Sequence, residues 1–482
     1  MIPDFKKTWL QNSLLPLIVY AGCAADANPA ENHDLAGAPA LVGQTLGQPT
    51  AAAAGSGAKP KHSLFGESYD ASETSSEYTQ EVTDEDMPTT SATVDPNDRY
   101  AVAQSYCPEG SLDTDEDGLC DDAEAAYGTE AGLPDTDGDF LSDATEVYGI
   151  WTADGSLIDL PGAGASPFHK DVFLEIDYFP GFAPSQQAID LVVQAYANAP
   201  VDNLDGSSGI NLHAWLDDEI PAAEAAAYPV LSDWAEVEAI KTTHFQAELA
   251  TYFHYALFAD RIKDSSGMEG YSGIASGLPG HSSIVSLGGN WATQTVVSDL
   301  YKQAGTLMHE LGHTLGLHHG GHEIMSDGSL VSSQANNKPN YLSVMNYNYQ
   351  MTPFRMNNVE TFDYARFDIG ALSESALNEE LGLTPVGSST REDLAQIDGI
   401  RFNYYEGQKS VIGLASYLLD FNNDGSFDAQ ISPTDLNGDN SSNEVFLGVA
   451  NDWNNLQYWG LASTPQGVFG TTSEMCHTPK SQ

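Results

Sequence analysis

The sequence predicts an α/β (α+β) domain in which a twisted, mixed but mostly parallel sheet packs against helices. Along residues 168–410, apolar strand-like segments alternate with an amphipathic helical pattern, and this alternation is typical of parallel sheets covered by helices. Near the middle of the chain, a longer helical pattern keeps two histidines and a glutamate off its apolar stripe. One helix is therefore expected to turn these polar side chains toward a cleft.

The elements of this domain can be placed in chain order. Residues 171–178 predict the first strand, and residues 185–197 have the spacing of an amphipathic helix. Residues 210–216 predict the next strand. Residues 253–258 and 283–287 predict further short strands of the same sheet.

The longer helical pattern runs from about Thr293 to Leu315 and has an apolar stripe at helical spacing. His309 and His313 are four residues apart, so a helix places them on one face about one turn apart. That spacing lets two imidazoles bind one zinc ion. Glu310 follows the first histidine, where its carboxylate can reach a water on the metal without being a ligand.

The residues after this helix supply a third ligand. Gly316 can end the helix, because glycine accepts the left-handed conformation of a sharp turn. The chain then bends back and can bring His319 to the metal. Three protein ligands leave an open position for water, which is typical of catalytic zinc. His318 and His322 are alternative third ligands, and the spacing favours His319.

A second motif follows, Ser343-Val344-Met345-Asn346-Tyr347. Together with His-Glu-x-x-His-x-x-Gly-x-x-His, it resembles the metzincin zinc peptidases over about residues 170–405. In that family a methionine lies beneath the metal, a place that the resemblance assigns to Met345. A tyrosine two residues later ligates zinc or steadies the transition state in some members, and Tyr347 matches it. The resemblance also implies that Glu310 is the general base and that the zinc ligands are His309, His313 and His319.

The function implied is an exported zinc endopeptidase that acts on protein or peptide substrates. In metzincins an extended peptide pairs with a sheet edge above the cleft, and one of the short strands is expected to do so here. The alternative is a calcium-dependent surface adhesion protein with a catalytically idle domain. The intact Glu310 argues against this alternative, because a mere metal holder does not need a base. His254 is expected to be a packed or surface residue rather than a ligand.

Charge excludes some partners. The chain has 482 residues, with 17 basic against 69 acidic side chains and a formal net charge of −52. Such a chain should repel nucleic acid and anionic membranes. The acidity fits calcium binding, high solubility or a salty habitat. The length allows two or three domains with a substantial core.

The start of the chain predicts export. Lys6 and Lys7 precede a short apolar run at residues 14–20, and Ala21-Gly22-Cys23 resembles the cleavage site of bacterial lipoproteins. We expect residues 1–22 to be a signal peptide and Cys23 to carry lipid, which makes an outer-membrane lipoprotein one form of the product. Ordinary cleavage near the small residues is the alternative. Either route places the protein outside the cell or at its surface.

The next region, residues 23–105, is rich in small, polar and acidic residues and shows no sustained period. It predicts a disordered tether or a pro-segment. No later segment has the run of about 20 apolar residues that a spanning helix needs, so membrane contact is expected only through the lipid on Cys23.

Residues 106–150 predict two calcium-binding repeats. The first loop has Gly118 at its sixth position, and its expected ligands are Asp113, Asp115, Asp117, Leu119 (through its carbonyl), Asp121 and Glu124. The second loop has Phe140 where glycine is expected, which indicates a different turn, and its expected ligands are Asp135, Asp137, Asp139, Asp143 and Glu146. The pair resembles thrombospondin type-three repeats, with structural Ca²⁺. Solvated acidic loops are the alternative.

Cysteines are few, and two of them flank the first loop. Cys107 and Cys120 are close enough in sequence to form one disulfide in an exported protein. Two free thiols are the alternative.

The last part of the chain is expected to hold helices and loops at residues 357–401, followed by a small C-terminal module at residues 411–482. Acidic patterns at residues 420–428 and 435–439 have oxygen side chains at alternate positions, which fits calcium loops or tight Asx-turns equally. The aromatic residues of this module either pack it or form a sugar-binding platform; they are Trp453, Tyr458 and Trp459.

Overall fold

The computed structural model describes residues 107, 110–152, 157–293, 297–401, 410–411, 414–458, 469 and 474–476. All of these belong to one compact unit, residues 81–482. The predicted signal peptide, Cys23, the predicted tether and Trp459 lie outside the described residues. No described helix combines the length and apolar character needed to cross a membrane.

Most helices are short, and the longest carries the histidine motif. In chain order the helices are α1 (Asp121–Tyr127), α2 (Asp143–Tyr148), α3 (Leu160–Ala163), α4 (Gln186–Ala197), α5 (Ala222–Ala225), α6 (Trp234–His244), α7 (Asn290–Thr293), α8 (Asp299–Thr314) and α9 (Arg391–Leu394). Single 3₁₀ turns cover Ala247–Thr251 and Trp453–Asn455.

In the described part of the chain, six strands form the main sheet, and the other eleven form four small sheets. The strands are β1 (Ile150–Trp151), β2 (Leu157–Ile158), β3 (Asp171–Tyr178), β4 (Asn211–Glu219), β5 (Phe253–Ala259), β6 (Gly273–Ala275), β7 (Ser282–Ser286), β8 (His322–Ile324), β9 (Leu330–Ser332), β10 (Phe354–Met356), β11 (Val359–Thr361), β12 (Leu372–Ser373), β13 (Ile397–Arg401), β14 (Ser410–Val411), β15 (Val445–Phe446), β16 (Gly448–Val449) and β17 (Glu474–Cys476).

The central sheet has the strand order β17-β6-β7-β5-β3-β4. β3 lies parallel to both β4 and β5, and β5 lies parallel to β7. β6 and β17 are antiparallel to their neighbours. The predicted α/β class with a mixed, mostly parallel sheet is therefore confirmed.

Both faces of this sheet are covered. Val172, Leu174 and Ile176 of β3 pack in the core that contains residues of α4 and α8, whereas Phe173 faces the second core with residues of α6. Because side chains alternate along a strand, a strand buried on both faces is apolar almost throughout. This explains why five of the eight residues of β3 are apolar or aromatic, with Asp171, Glu175 and Asp177 as the exceptions.

The flanking regions pack onto the same two cores. Phe421 and Trp453, from the region predicted as a C-terminal module, belong to the core of α8. Leu141 and Ile158, from and just after the predicted repeats, belong to the core of α6. Trp453 is 3 % exposed and donates its indole N–H to Asp363 at 2.8 Å, so it packs the core rather than forming a sugar-binding platform.

The helix predicted from about Thr293 is shorter than expected. α7 ends at Thr293, and α8 begins at Asp299 after Ser298, whose hydroxyl accepts the N–H of Tyr301. This N-cap satisfies a helix-start donor that would otherwise lack a partner, so Val297 lies before the helix rather than in it.

The prediction of loops at residues 357–401 is confirmed for most of the stretch, but the prediction of helices there is wrong except for α9. β10 and β11 form a hairpin that pairs further with β13, and the only helix described there is the four-residue α9. Asn357 and Asn358 connect the hairpin with φ of 51° and 66°. A two-residue loop with two positive φ angles is the favoured hairpin turn, and asparagine tolerates it. The Asn-Asn pair was the available signal for this turn.

Candidate metal centre

The end of α8 is built to turn the chain back. Leu317 donates its N–H to the carbonyl of Gly312 at 2.8 Å, and Gly316 donates to that of His313 at 2.9 Å. Gly316 has a φ of 84°. This pair of bonds around a left-handed glycine is the Schellman arrangement, which closes a helix and reverses the chain. The reversal carries His319 back beside the helix, as its spacing predicts.

Three histidines meet at one point. The ring centres of His309 and His313 are 4.7 Å apart, and that of His319 lies 4.7 Å from His313 and 5.2 Å from His309. The Nε2 atoms of His313 and His319 are 3.0 Å apart. All three side chains are at least nine-tenths buried. The separations suit nitrogen ligands of one zinc ion, which bind at about 2.0–2.1 Å.

Hydrogen bonds and burial prepare two of these rings for a metal. Nδ1 of His309 lies 2.9 Å from the carbonyl oxygen of Val344, and Nδ1 of His313 lies 2.8 Å from that of Leu317. A carbonyl only accepts, so each Nδ1 carries the proton and each Nε2 keeps its lone pair. Burial lowers the pKa of His309 to about 4 and holds the pKa of His313 well below its ordinary value. Neutral imidazoles of this tautomer are the form that binds zinc.

The other histidines considered lie apart from this triad. Nδ1 of His318 lies 2.9 Å from the side-chain amide nitrogen of Gln334, and His322 lies on β8. Among the described residues, neither joins the group of histidines that could hold a metal. His254 is buried on β5, which agrees with a packed residue.

The segment with Met345 supports the triad from below. Met345 is fully buried, and a Cβ at Gly312 would overlap its sulfur atom. Only glycine therefore lets the methionine lie against α8 next to His313. The preceding residue, Val344, supplies the carbonyl that orients His309. The ring of Tyr347 lies 4.8 Å from that of His319, and this tyrosine is half-buried at the rim of the site.

A buried aspartate that was not predicted from the sequence holds this segment in place. One carboxylate oxygen of Asp452 accepts from Tyr341 Oη at 2.9 Å, Ser343 Oγ at 2.7 Å and the N–H of Ala365 at 2.9 Å. Burial raises the pKa of Asp452 to about 7. The contact spans more than a hundred residues, so no local pattern marked it.

Strand β6 passes beside the predicted base. Glu310 is fully buried, and a Cβ at Gly273 of β6 would overlap its carboxylate. The backbone of β6 therefore approaches Glu310 as closely as glycine permits. The outer edge of β6 pairs with β17, where Met475 lies opposite Ile274. Neither contact has a signal in the sequence, because β6 is only three residues long.

The two predicted calcium loops fold alike. Asp113 accepts the N–H groups of the residues three and five places later at 2.8 and 3.2 Å, and Asp135 accepts the equivalent pair at 2.7 and 2.8 Å. Phe140 has a φ of 82°, and Gly118 at the same loop position has 104°. The expectation that the second loop turns differently is therefore wrong. The same side-chain bonds impose the same turn, although phenylalanine is strained there.

Some of the predicted calcium ligands come together. Carboxylate oxygens lie within 4.8 Å of one another in each of two groups: Asp113, Asp115 and Asp117, and Asp135, Asp137 and Asp139. Leu119, fully buried, follows the first group. Asp121 and Asp143 lie outside both groups, because each accepts the N–H and hydroxyl of the threonine at the second loop position.

The glutamates that end the two loops differ. Glu146 groups with Asp139 and with Asp171 at the start of β3, a residue not predicted as a ligand. Glu124 is buried but belongs to no such group among the described residues. Burial and the nearby Asp115 raise the pKa of Glu124 to about 7. Excess negative charge is thus concentrated around both loops.

The remaining predicted features can also be placed. Cys107 and Cys120 form a disulfide with a Cα–Cα distance of 5.7 Å. At residues 420–428 and 435–439, carboxylates accept main-chain N–H groups within tight turns, as in the bond of 2.8 Å from Gly425 to Asp420. No group of three acidic side chains like those above forms in these two stretches. Asp435 accepts the N–H groups of Gly438 at 2.7 Å and Asn440 at 2.8 Å, the same pair of bonds that Asp113 and Asp135 accept, so calcium binding in this part of the chain stays a prediction.

Comparison with known proteins adds no family: the sequence matches no family model and no curated protein. The chemistry of the site therefore follows from its own residues. A buried histidine triad beside a buried glutamate can hold a transition-metal ion and move a proton next to it.

Proposed function

We propose that this chain is a zinc-dependent endopeptidase of the metzincin type. The observation that carries the proposal is the convergence of His309, His313 and His319 on one point, with Glu310 on the same helix. Nitrogen donors with main-chain carbonyls behind them suit zinc. Met345 beneath the helix and Tyr347 at the rim add two features that a structural zinc site does not need.

Each residue has a distinct role in this proposal. His309, His313 and His319 would hold zinc, which would supply a Lewis acid for water and the substrate carbonyl. Glu310 takes up the proton that the attacking water loses and gives it to the leaving amine. Tyr347 donates a hydrogen bond to the developing oxyanion. The buried contacts of Met345 with the helix keep the histidine side chains in position.

The substrate would lie along β6. This strand passes beside Glu310 and is antiparallel to β7. An extended peptide that pairs with a strand is held by main-chain bonds, and such binding tolerates many side chains. We therefore propose protein or peptide substrates rather than a single small molecule.

Metal analysis and a casein assay on the purified full chain test this proposal. We expect zinc to co-purify with the chain and casein to be cleaved at internal bonds. A chelator should stop cleavage, and added zinc should restore it. If the chain holds zinc but cleaves nothing over a broad set of proteins, the adhesion-protein alternative is favoured instead.

Opening the edge of β6 should increase activity. β17 occupies this edge, so a substrate must displace it. Three strand pairs at roughly 0.2–1 kcal/mol each cost about 0.6–3 kcal/mol together, which predicts a rise in kcat/KM of about threefold or more when residues 471–482 are deleted. The measurement is casein hydrolysis, with the melting temperature as a check on folding. An unchanged kcat/KM in a stably folded deletion would show that substrate does not use this edge.

We also propose that the repeat loops bind Ca²⁺. The grouped carboxylates repel one another, and a ligand of the folded form stabilises it by about 2.7 kcal/mol at a hundred times its Kd. Asp115→Asn should therefore reduce the calcium-induced protection of residues 106–148 from proteolysis. Asp122→Asn is the matched control, because Asp122 is exposed on α1 and belongs to neither group. Equal calcium protection in both variants would exclude Asp115 as a ligand, and no calcium protection of the parent chain would mean that the loops are only solvated acid.

A further inference from the structure

A second buried group of carboxylates lies on the face of the central sheet turned away from α8. Glu175 and Asp177 of β3 and Asp217 of β4 each place an oxygen within 4.8 Å of the others. Glu175 and Asp177 alternate with the residues that face α8, so they lie on the side of Phe173 and α6. The group is separate from the histidine triad and from the repeat loops.

A β-bulge gathers these side chains. The register of β3 with β4 shifts by one residue beyond Ile176, so that Asp217 and Asp218 together oppose Asp177. A bulge adds a residue to one strand and redirects its side chains. Here it places Asp217 and Asp218 together opposite Asp177. In a regular ladder, two successive residues such as these would point to opposite faces of the sheet.

Glu175 is the member that lacks a partner. Its side chain is 1 % exposed, and neither carboxylate oxygen has a hydrogen bond within the described part of the chain. Asp177, by contrast, accepts from Tyr255 Oη at 2.9 Å and from the N–H of Asp218 at 3.1 Å. A buried carboxylate without a partner is strongly unfavourable. One of its oxygens lies within 4.8 Å of an oxygen of each of the other two carboxylates of the group.

The nearest basic side chains are engaged elsewhere. Lys241 donates to Ser282 Oγ at 3.0 Å and lies over the rings of Phe245 and Tyr255. Among the described residues, Lys241 forms no ion pair of 4 Å or less with a carboxylate of the group. His244 binds carboxylates outside the group. Burial and the charge of Asp177 raise the pKa of Glu175 to about 9, so the pocket favours either a proton or a metal cation.

We propose that Glu175, Asp177 and Asp217 bind one Ca²⁺ ion at the bulge between β3 and β4. The donors are all oxygen atoms, which select a hard cation and disfavour zinc. Three carboxylates on two strands leave room for water or main-chain carbonyls, and Ca²⁺ accepts such an irregular set of ligands. The ion would join the two strands and remove the repulsion among the carboxylates. This site does not depend on peptidase activity.

Calcium binding to the full chain tests the site. Glu175→Gln keeps the size of the side chain but removes a charged ligand, so at saturating calcium it should bind one ion fewer per chain than the parent in equilibrium dialysis. Asp217→Asn, at a half-buried position, should lose the same ion. Asp190→Asn is the matched control on the exposed face of α4 and should bind as many ions as the parent. The rise in melting temperature on adding calcium should be smaller only in the first two variants.

Crystals of the parent give an independent measurement that needs no variant to fold. With terbium(III) soaked in as a calcium substitute, an anomalous peak is expected between the carboxylates of Glu175, Asp177 and Asp217. A parent without such a peak, or a folded Glu175→Gln variant that binds as many calcium ions as the parent, would overturn the proposal. Glu175 would then be a buried protonated acid.

Discussion

Replacing Glu310 with glutamine is expected to reduce kcat/KM for casein by about 10²-fold or more, the usual contribution of general acid–base catalysis. Glutamine has the same size, so it should fit between α8 and Gly273, where the carboxylate is enclosed. It cannot take up a proton. Because Glu310 is not one of the three proposed zinc ligands, the zinc content of the variant should equal that of the parent.

The matched control is Glu392→Gln, which makes the same chemical change at an exposed position on α9. It should cleave casein at the parent rate. If Glu310→Gln cleaved casein as fast as the parent, the base would be another group and the proposed role of Glu310 would be wrong. Loss of zinc from this variant would instead indicate a metal-holding role.

Replacing a histidine of the triad is expected to remove the metal itself. Loss of an outer-shell partner alone typically weakens metal binding by 10–100-fold, so loss of the ligand in His319→Ala should weaken zinc binding by more than about 100-fold. Casein cleavage should fall with it. His313→Ala should behave alike, because its Nε2 lies 3.0 Å from that of His319.

His318→Ala provides the control for this experiment. His318 is adjacent in sequence, but its ring contacts Gln334 rather than the triad. The variant should retain zinc at the parent level, measured by metal analysis after dialysis. The opposite result, with zinc kept in His319→Ala and lost in His318→Ala, would assign the third ligand to His318.

Features encoded by neighbouring residues could be predicted from the sequence. The spacing of His309, His313 and His319 relies on one helix and one glycine turn, and both are local. The mostly apolar composition of β3 likewise reflects burial on both faces of the strand. The side-chain bonds of the calcium loops are local too, which is why the two loops close alike despite Phe140.

Features that depend on distant pairing could not be predicted. β17 reaches β6 across about two hundred residues, and no pattern in either short segment specifies the partner. Asp452 supports the segment around Met345 through a contact with Ser343, which lies 109 residues away in the sequence. The carboxylate group around Glu175 forms only through the register of β3 with β4 and the bulge between them, and neither can be predicted from the sequence. In the sequence, Glu175 was one of three acidic residues in a segment that predicted a strand.

The most direct test of the central claim is to map cleavage of a peptide library by the zinc-loaded full chain in ¹⁸O-labelled water. The proposal predicts internal cleavage, with one ¹⁸O atom in each new terminal carboxylate, because water is the nucleophile. Glu310→Gln should yield far fewer such products under the same conditions. If the zinc-loaded parent produces no new labelled termini, the chain is not an endopeptidase of this kind.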